Sequence, residues 1–496
     1  MRPDGARHMR LDQLLGTEAP ISGPDASVLI SGITADSRQV EPGFLFAALR
    51  GVKADGAAFI PAALARGAAA ILTDEVTRAD CTVPVIRVPN PRATLARAAA
   101  RFFGAQPETV VAVTGTNGKT SVAAFTRQIW AGLGHASASV GTVGIVSPRG
   151  ERKLEHTTPD PIELQQVMAE LAGEGVTHAA IEASSHGLAQ HRLDGLQVKA
   201  GAFTNLTRDH LDYHPDFEDY FQAKLRLFTE VLEPGGAAVI DADFPESERV
   251  IAASRARGLK VFTVGHAGET IRIMQQERTA SGQRLSLLVE GRGFEVDLPL
   301  IGDFQAANAV TALGLVLSLG ADTEKAVAAL EKLIGASGRL EHVTTVNGGR
   351  VVVDFAHTPD ALENALTALR PYVTGRLIAV FGAGGDRDPG KRPLMGAAVA
   401  RHADIAIVTD DNPRSEDPAA IRAQVLAGCP GGIDGGDRPA AIRLGLAMLQ
   451  PGDILVVAGK GHEQGQEIAG RIIPFSDQAE IRLAARAYQE SDRTDG

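Results

Sequence analysis

The stretch Val110-Val-Ala-Val-Thr-Gly-Thr-Asn-Gly-Lys-Thr-Ser121 joins a short apolar strand, a glycine-rich turn and the start of a helix. This arrangement is typical of a phosphate-binding loop, in which glycines let backbone N–H groups turn toward phosphate oxygens and the helix start adds positive potential. In that interpretation Lys119 reaches the terminal phosphates and the Thr120 hydroxyl binds Mg²⁺. The sequence therefore predicts an ATP site in the turn and the helix start, formed by Gly115, Thr116, Asn117, Gly118, Lys119, Thr120 and Ser121.

The loop departs from the standard motif at one position, because that motif requires glycine where Val113 stands. The alternative is a Gly-Asn turn that precedes an ordinary helix. A buried strand followed directly by Gly-Lys-Thr-Ser favours nucleotide binding over that alternative.

Strand-like segments alternate with helical ones after this loop. Further strands are predicted at 176–183, 198–204 and 236–241, and a second series begins near 348 with strands at 350–354, 377–381, 405–408 and 454–457. Helical segments are predicted at 121–133, 359–370, 391–402 and 437–449. Such alternation predicts parallel sheets with ligands at the carboxyl ends of the strands.

The predicted fold class is α/β with three domains, since 496 residues exceed one ordinary core. Residues 1–99 would form a small N-terminal α/β domain. Residues 100–335 would form a central P-loop-type ATPase domain with a parallel sheet, and residues 336–496 a C-terminal Rossmann-like domain. Two glycines within the segment 335–338 predict a hinge between the last two domains.

Composition and charge exclude several classes of protein. The formal charge of -11 argues against broad nucleic-acid binding, which requires a basic face. Cys81 and Cys429 lie far apart without metal-ligand spacing, so neither a disulfide framework nor a zinc site is predicted. We find no signal-peptide core and no apolar run of about eighteen residues. The sequence predicts a cytoplasmic monomer without membrane insertion, whose translation begins at Met1 or Met9.

Two further strand ends offer candidate metal ligands. Glu182 closes the strand at the sheet edge where the phosphate loop lies, and its carboxylate oxygens suit Mg²⁺. His210 lies in Asn205-Leu-Thr-Arg-Asp-His-Leu-Asp212, which follows the next strand. The alternative for Glu182 is a helix cap or a surface charge, and the alternative for His210 is a hydrogen-bonded structural histidine.

A lysine interrupts the apolar face of the helix that follows. The apolar stripe comprises Phe217, Tyr220, Phe221, Phe228 and Val231, and the opposite face carries Glu218, Asp219, Gln222, Arg226 and Glu230. Lys224 lies in the middle of the stripe. An unpaired buried ammonium is costly, so Lys224 either extends to solvent, pairs with an anion or reacts with CO₂ to give an anionic carbamate that could bind metal.

Four loops follow four strands of the second series. These loops are Asp354–Asp360, Gly384–Asp388, Asp411–Arg414 and Gly459–Glu463. They would bring Arg387, Arg414, Lys460 and Glu463 near one crevice. Because arginine binds carboxylate oxygens in pairs and Glu463 can accept from an ammonium, the loops predict a pocket for a small zwitterion. Each loop taken singly is also an ordinary turn sequence.

Together these segments resemble the Mur ligase family, most closely the type that adds the third residue of the peptidoglycan stem peptide. The resemblance runs nearly from end to end and rests on Thr114–Ser121, His156–Pro159, Glu182–His186, Asn205–His214, Gly338–Glu341, Asp354–Asp360, Asp411–Arg414 and Gly459–Glu463. The short form Thr-Gly-Thr-Asn-Gly-Lys-Thr is the family's own phosphate loop. Phe355 replaces a tyrosine often seen in the family, while its neighbours match.

The resemblance implies roles for individual residues. Thr120 and Glu182 would hold one Mg²⁺, His210 and a carbamylated Lys224 would hold another, and Lys119, Lys224 and His210 would form the catalytic set. Nucleotide contacts from the later chain would be Asn308, Arg339 and Asp354. Contacts to the UDP-linked substrate would be Ser37, within Asp36-Ser-Arg38, and Thr157, Thr158, Ser184, Gln190 and Arg192. The amino-acid pocket would comprise Arg387, Asp411, Asn412, Pro413, Arg414, Gly459 and Glu463.

The implied activity is ATP-dependent addition of meso-diaminopimelate to UDP-N-acetylmuramoyl-L-alanyl-D-glutamate, through an acyl phosphate and with release of ADP and phosphate. One alternative is the same ligation with L-lysine. In this family, however, Asp-Asn-Pro-Arg marks enzymes that use meso-diaminopimelate rather than L-lysine. A second alternative is a folylpolyglutamate-synthetase-like ligase, which Asp36-Ser-Arg38 and Asp411–Arg414 disfavour. A third is a P-loop NTPase switch or motor, which leaves the C-terminal loops unexplained. Closure by rotation about the hinge near 335–338 is expected.

Overall fold

The computed structural model describes residues 8–51, 55–74, 81–207, 213–279 and 282–494. The chain divides into two compact units. The first comprises Met1–Arg272, Val289–Gly291 and Val310–Ala329, and the second comprises Ile273–Leu288, Arg292–Ala309 and Leu330–Gly496.

The N-terminal part of the first unit contains a parallel sheet with strand order β3-β4-β5-β6. Its elements are β1 Met9–Arg10, α1 Leu11–Leu15, β2 Leu29–Ile30, β3 Gly32–Thr34, β4 Phe44–Ala47, α2 Ile60–Ala65, β5 Ala70–Asp74, β6 Val85–Val88 and α3 Pro91–Phe103. Helix α3 begins at Pro91 because the Asn90 side chain caps it, accepting a hydrogen bond from Ala93 N at 3.1 Å. Leu95, Ala98 and Phe102 of α3 pack into the core of this part.

The central part of the first unit is a mostly parallel sheet with strand order β10-β9-β8-β11-β7-β12-β13-β14. Its strands are β7 Thr109–Thr114, β8 Ser137–Gly141, β9 Gly144–Ser147, β10 Gly150–Arg152, β11 His178–Glu182, β12 Val198–Phe203, β13 Leu232–Asp241 and β14 Lys260–Gly265. Its helices are α4 Lys119–Gly132, α5 Pro161–Gly173, α6 Ser185–Ala189, α7 Phe217–Arg226 and α8 Ser247–Ala256. All of β7 is buried, and it lies between β11 and β12 as their parallel neighbour. The segments that follow these three strands therefore start at one sheet edge.

Five elements lie at the division between the units or close to it. They are β15 Ile271–Thr279, β16 Gly282–Val289, β17 Arg292–Leu298, α9 Phe304–Ser318 and α10 Thr323–Leu330.

The second unit is built on a sheet with strand order β18-β19-β23-β20-β21-β22, parallel except for β18. Its strands are β18 Glu341–Val346, β19 Gly349–Asp354, β20 Leu377–Phe381, β21 Ile405–Val408, β22 Ile433–Asp434 and β23 Ile454–Ala458, with a hairpin of β24 Gly465–Ile468 and β25 Arg471–Pro474. Its helices are α11 Pro359–Leu369, α12 Lys391–His402, α13 Pro418–Ala427, α14 Arg438–Ala447 and α15 Asp477–Thr494. Alternate residues of the strands pack into two separate apolar clusters, one on each face of the sheet.

The predicted α/β fold class is confirmed, as are the predicted strands and helices, with ends displaced by a few residues. The domain boundaries at 99/100 and 335/336 stay predictions. So does the hinge, whose residues Gly335–Gly338 fall within the second unit. None of the helices among the described residues is long and apolar enough to cross a membrane.

Two predictions about the helix that carries Lys224 are wrong. Phe217 was placed in the apolar stripe but is 38% exposed, because it is the first residue of α7 and lies at the helix end. Arg226 was placed on the polar face, but its side chain is only 13% exposed because it pairs with Asp194. The helix also changes to a π-helical turn over Leu227–Val231.

A fully buried ion pair joins two helices of the second unit. Arg438 at the start of α14 donates to the Asp477 carboxylate at 2.6 and 2.7 Å, and to the Ala458 carbonyl at 3.0 Å. Neither charged side chain of the pair is exposed. The pair therefore fixes α14 and α15 to the end of β23.

Asp477→Ala should destabilise the protein by about 3 to 5 kcal/mol, because it leaves the Arg438 charge buried without its partner. Urea unfolding monitored by circular dichroism measures the loss. Arg401→Ala is the control, since it breaks an Arg401–Glu363 pair whose side chains are 59% and 45% exposed, and it should cost at most about 1 kcal/mol. Equal unfolding midpoints for the two variants would contradict the role given to the buried pair.

Candidate active site

The turn after β7 depends on two glycines. Gly118 caps α4 with φ of 87°, and Gly115 has φ of 147°. A Cβ atom at Gly115 would collide with the Thr204 hydroxyl. Both conformations favour glycine, so the chain turns here as a phosphate-binding loop does.

Two lysines donate to the same carbonyl oxygen of this loop. Lys119 Nζ lies 2.9 Å from Gly115 O and 2.8 Å from Thr116 O, and Lys224 Nζ lies 2.7 Å from Gly115 O. Lys224 is 1% exposed and also lies over the Tyr220 ring, 4.4 Å from its centroid. The interpretation that Lys224 extends to solvent is therefore wrong, because α7 directs it beneath the phosphate loop.

Residues just after the end of β12 form hydrogen bonds with the loop. Thr116 N donates to Asn205 O and Asn117 N donates to Asn205 Oδ1, each at 2.9 Å. Thr204 Oγ1 donates to Asn117 O at 2.6 Å. The sequence reasoning did not assign this role to Thr204 and Asn205, although their position just after a strand at the same edge could have indicated it.

Glu182 and Thr120 meet as the sequence predicts. Thr120 Oγ1 donates to Glu182 Oε2 at 3.0 Å, and Thr142 donates to the same carboxylate through its N–H at 2.8 Å and its hydroxyl at 3.1 Å. A Cβ at Gly141 would collide with that carboxylate. Thr142 was missed, although it too follows a strand end at this edge.

The donor set at Glu182 fits Mg²⁺. Glu182 is a buried carboxylate whose contacts among the described residues are to threonine rather than to basic side chains. Oxygen ligands suit Mg²⁺, which usually binds one or two carboxylates and completes its shell with water and phosphate. The described part of the chain contains no group of three or more His, Cys, Asp or Glu residues that could hold a metal ion. The second predicted metal position involves His210, which lies outside the described residues.

The residues assigned to the muramoyl-dipeptide form one hydrogen-bonded network. Thr158 Oγ1 donates to the Glu182 carbonyl at 2.8 Å and bonds Ser184 Oγ at 3.0 Å. Arg192 donates to the Thr158 carbonyl at 2.6 Å and to Gln190 Oε1 at 2.9 Å.

Thr157 precedes Thr158 in the chain, and its hydroxyl lies 3.1 Å from the Thr142 hydroxyl. Thr142 therefore links Thr157 to the Glu182 carboxylate. Ser37 lies elsewhere, at the start of a short 3₁₀ helix. Asp36 caps this helix and forms an ion pair with Arg38 at 2.7 Å.

Two of the three later-chain nucleotide candidates meet in the second unit. Asp354, at the end of β19, accepts hydrogen bonds from Leu340 N and Ala356 N, each at 2.8 Å. Burial raises the pKa of Asp354, against the opposing effect of the nearby Arg339 charge. Arg339 lies over the Phe355 ring at 5.5 Å. The third candidate, Asn308, does not join them in these contacts; its Nδ2 donates to Gln305 Oε1 at 3.0 Å.

Lys460 organises the loops of the predicted amino-acid pocket. Its buried Nζ donates to Asn412 Oδ1 at 2.9 Å and to Glu463 Oε2 at 2.7 Å, and Asn412 Nδ2 donates to Glu463 Oε2 at 3.0 Å. Burial tends to raise the pKa of Glu463, but the Lys460 hydrogen bond and charge hold it below its ordinary value. Lys460, predicted to line the pocket, is therefore committed to fixing Glu463, which remains an anion.

Arg414 and the glycines of the Gly384–Asp388 loop come together. Arg414 Nη1 donates to Gly385 O at 2.7 Å and Nε donates to Glu467 Oε2 at 3.0 Å. A Cβ at Gly384 would lie 3.0 Å from Arg414 Nη1 and 3.9 Å from Arg387 Cγ, which places both arginines at this loop. Glu467, on the β24–β25 hairpin, was not found by sequence reasoning.

The remaining pocket candidates also lie close together. Asp411 is buried, its Oδ2 has no hydrogen-bond partner among the described residues, and a Cβ at Gly459 would lie 2.5 Å from that oxygen. The Pro413 carbonyl packs against Gly385 so closely that a Cβ there would collide with it. The structure thus brings all seven predicted pocket residues to the strand ends of one sheet.

Three family models match successive parts of the chain. "Mur ligase family, catalytic domain" matches residues 29–103, "Mur ligase middle domain" matches 113–316, and "Mur ligase, glutamate ligase domain" matches 338–461.

Relatives that share one name match this chain over nearly its full length. The UDP-N-acetylmuramoyl-L-alanyl-D-glutamate--2,6-diaminopimelate ligase of Agrobacterium fabrum is 55% identical over 466 residues, which cover 94% of this chain and 95% of that protein. The ligase of the same name from Chelativorans sp. is 56% identical over 469 residues, covering 94% and 97%.

Solved structures agree with these matches. One of a UDP-N-acetylmuramoyl-L-alanyl-D-glutamate--2,6-diaminopimelate ligase has a TM-score of 0.74 and 34% identity, covering 97% of this chain and 100% of that chain. Mycobacterium tuberculosis folylpolyglutamate synthase complexed with ADP and AMPPCP has a TM-score of 0.60 and 21% identity over 74% of this chain and 92% of that chain, which shows a shared fold alone. The chain belongs to the Mur ligase family.

Proposed function

We propose that this chain is the ATP-dependent ligase that joins meso-diaminopimelate to the D-glutamyl γ-carboxylate of UDP-N-acetylmuramoyl-L-alanyl-D-glutamate. The observation that carries the proposal is the contact of Thr120 with Glu182 at 3.0 Å beside a loop whose Gly115 carbonyl accepts from two lysines. Full-length relatives that are 55% identical and bear this activity in their names support the choice of substrates.

The chemistry begins with activation of a carboxylate, because an oxide or hydroxide is too poor a leaving group for direct attack by an amine. A γ-carboxylate oxygen attacks the γ-phosphorus of ATP, ADP leaves, and an acyl phosphate forms. Lys119 and the N–H groups at the start of α4 offset the negative charge where the two anions meet. The neutral amine then attacks the acyl carbon, and the tetrahedral intermediate expels phosphate as the amine loses its proton.

Thr120 and Glu182 are the residues that would hold Mg²⁺ beside the phosphates. When bound, the ion neutralises charge on the phosphoryl oxygens. The Thr142 N–H and hydroxyl fix the Glu182 carboxylate from the other side, so its orientation is set before any ligand arrives.

We further propose that Lys224 carries a CO₂-derived carbamate in the active enzyme. Its burial disfavours a charged ammonium, which would react only after losing a proton. A carbamate keeps one N–H, so the hydrogen bond to Gly115 O could persist after the reaction. The Tyr220 ring, 4.4 Å from Nζ, stabilises the ammonium form instead, so the contact geometry alone accommodates both forms.

The pocket in the second unit supports an amino acid with two carboxylates. Glu463 is held anionic by Lys460 and Asn412 on Oε2, which suits it to accept from a substrate ammonium. Arg414 and Arg387 flank Gly384 and supply guanidinium groups for the distal carboxylate that L-lysine lacks. Action as a cytoplasmic monomer, without nucleic acid as a partner, stays a prediction.

A coupled assay of ADP release tests the ligase proposal against a nucleotide switch. Release should require both the UDP-linked dipeptide and meso-diaminopimelate, and L-lysine should replace the latter poorly. Lys119→Ala should lower kcat by roughly 10² to 10³, because losing charge stabilisation in the transition state costs about 3 to 4 kcal/mol. Lys325→Ala, at an exposed position of α10, is the control and should match the wild type. Hydrolysis independent of the dipeptide, or near-normal turnover by Lys119→Ala, would contradict the assignment.

Lys224→Ala should be folded and inactive, and added formate or acetate should restore part of the activity by replacing the carbamate's carboxylate. The readout is kcat as a function of acid concentration. Lys119→Ala is the matched control, since the same acids should not rescue it. If Lys224→Ala keeps near-normal activity, or if acids restore both variants equally, Lys224 does not act through a carbamate.

Arg414→Ala should lower kcat/KM for meso-diaminopimelate by roughly 30-fold or more, because truncating one member of a desolvated charge pair costs about 2 to 5 kcal/mol. The KM values for ATP and the UDP-linked dipeptide should stay near those of the wild type, and L-lysine should not become a good substrate. Arg471→Ala, exposed on the nearby hairpin, serves as the control. A wild type that prefers L-lysine, or an Arg414→Ala variant with unchanged use of diaminopimelate, would refute this pocket assignment.

A further inference from the structure

Helix α6 ends in a turn with an unusual residue at its key position. His191 N donates to Leu188 O at 3.1 Å, and Arg192 N donates to Gly187 O at 2.9 Å. These bonds form a Schellman motif, whose left-handed position is usually glycine. Here that position is His191, with φ of 58°. A non-glycine residue in this conformation is strained, so contacts of its side chain must offset the cost.

The His191 ring lies between two side chains whose roles can be deduced. Nδ1 lies 2.8 Å from Asp194 Oδ2, and Nε2 lies 2.8 Å from Asn90 Nδ2. Asn90 Oδ1 accepts from Ala93 N to cap α3, which leaves the amide nitrogen facing the ring. Because an amide nitrogen only donates, His191 Nε2 must accept. The imidazole is therefore neutral, with its proton on Nδ1 and donated to Asp194.

Asp194 in turn anchors this turn to α7. Arg226 Nη2 lies 2.9 and 2.8 Å from the two Asp194 oxygens, and Arg97 of α3 lies 4.0 Å away. Burial tends to raise the pKa of Asp194, but the His191 hydrogen bond and the Arg226 charge hold it below its ordinary value. The charged groups facing the ring are thus Asp194 on its own turn, with Arg97 and Arg226 behind it.

The residues on each side of His191 are both candidate substrate contacts. Gln190 Nε2 donates to Tyr213 OH at 3.0 Å, and Arg192 bonds both Gln190 and the Thr158 carbonyl. Burial lowers the pKa of Arg192. The Asp160 charge opposes this effect, and the Arg92 charge adds to it. The directions of these two side chains depend on the left-handed backbone between them.

We propose that His191 is a positioning residue for the UDP-linked substrate, locking the turn that carries Gln190 and Arg192 to Asn90 at the start of α3. Since Asn90 follows the N-terminal sheet and α3 packs against α5 of the central part, the lock would align the uridine end of the substrate with its dipeptide end. The inference rests on the proposed function, because Gln190 and Arg192 are substrate contacts only if that function holds.

His191→Gly tests the lock without straining the turn, because glycine favours φ near 58°. The variant should fold and keep kcat within about threefold, while its KM for the UDP-linked dipeptide rises about tenfold, because the part-buried Asn90 amide and Asp194 carboxylate each lose one hydrogen bond. Its KM for ATP should not change. Dipeptide KM equal to that of the wild type would overturn the proposal.

Asn90→Asp gives a readout that a merely structural role would not produce. Aspartate still caps α3, but it places an acceptor opposite Nε2. A neutral imidazole then donates to only one of the two flanking carboxylates, and both contacts form together only when the ring carries a second proton. The KM for the dipeptide should be about tenfold above wild type at about pH 8.5 and approach wild type at about pH 6. The double variant Asn90→Asp, His191→Gly should lose this added pH dependence.

An Asn90→Asp variant whose KM follows the wild type at every pH would overturn the proposal. Failure of the proposed function gives a different result, because the wild type itself would then not turn over the UDP-linked dipeptide. Active wild type with unaffected variants refutes the positioning role alone.

Discussion

The site in the first unit depends on the hydrogen bonds that the carbonyl oxygen of Gly115 accepts. This oxygen accepts from Lys119 at 2.9 Å and from Lys224 at 2.7 Å, so it joins the phosphate loop to α7. The arrangement requires glycine, because φ of 147° and the nearness of Thr204 leave no room for a side chain. Once the loop is fixed, α4 begins at Lys119 and carries the Thr120 hydroxyl to Glu182.

Basic side chains in the second unit divide into two groups by burial. Arg438, Arg392 and Lys460 are fully buried, and each is paired with a carboxylate of the protein itself. A buried charge must be compensated where it lies, so these residues shape the loops rather than bind a ligand. Arg414, whose side chain is 20% exposed, and the exposed Arg387 keep access to solvent at the same loops. Arg414 also pairs with Glu467, so it is its partial exposure that distinguishes it as a candidate to recognise a substrate carboxylate.

The sequence predicts candidate site residues at several strand ends, although it misses others at the same edge. The phosphate loop, Glu182 and the four C-terminal loops were found because parallel strands bring their carboxyl ends to one edge, and β7, β11 and β12 are neighbours as that reasoning requires. The partners of these residues were not found. Thr142, Thr204 and Glu467 are common residue types in turns or hairpins, and only three-dimensional contact reveals what they bond.

Lys224, Arg226 and His191 show the limit of helical periodicity. The pattern placed Lys224 on a buried face but could not say that Gly115, far away in sequence, would receive it. The same pattern assigned Arg226 to solvent, because Asp194 approaches from another segment. His191 gave no signal, since the left-handed turn it occupies is normally marked by glycine.

The central claim is that the phosphate loop transfers a phosphoryl group to a substrate carboxylate before the amide bond forms. The most direct test is to label the D-glutamyl γ-carboxylate with ¹⁸O and to analyse the products by mass spectrometry after turnover with ATP and meso-diaminopimelate. The account predicts that the released inorganic phosphate carries one ¹⁸O atom and that ADP carries none. Unlabelled phosphate, or label recovered in AMP, would contradict it.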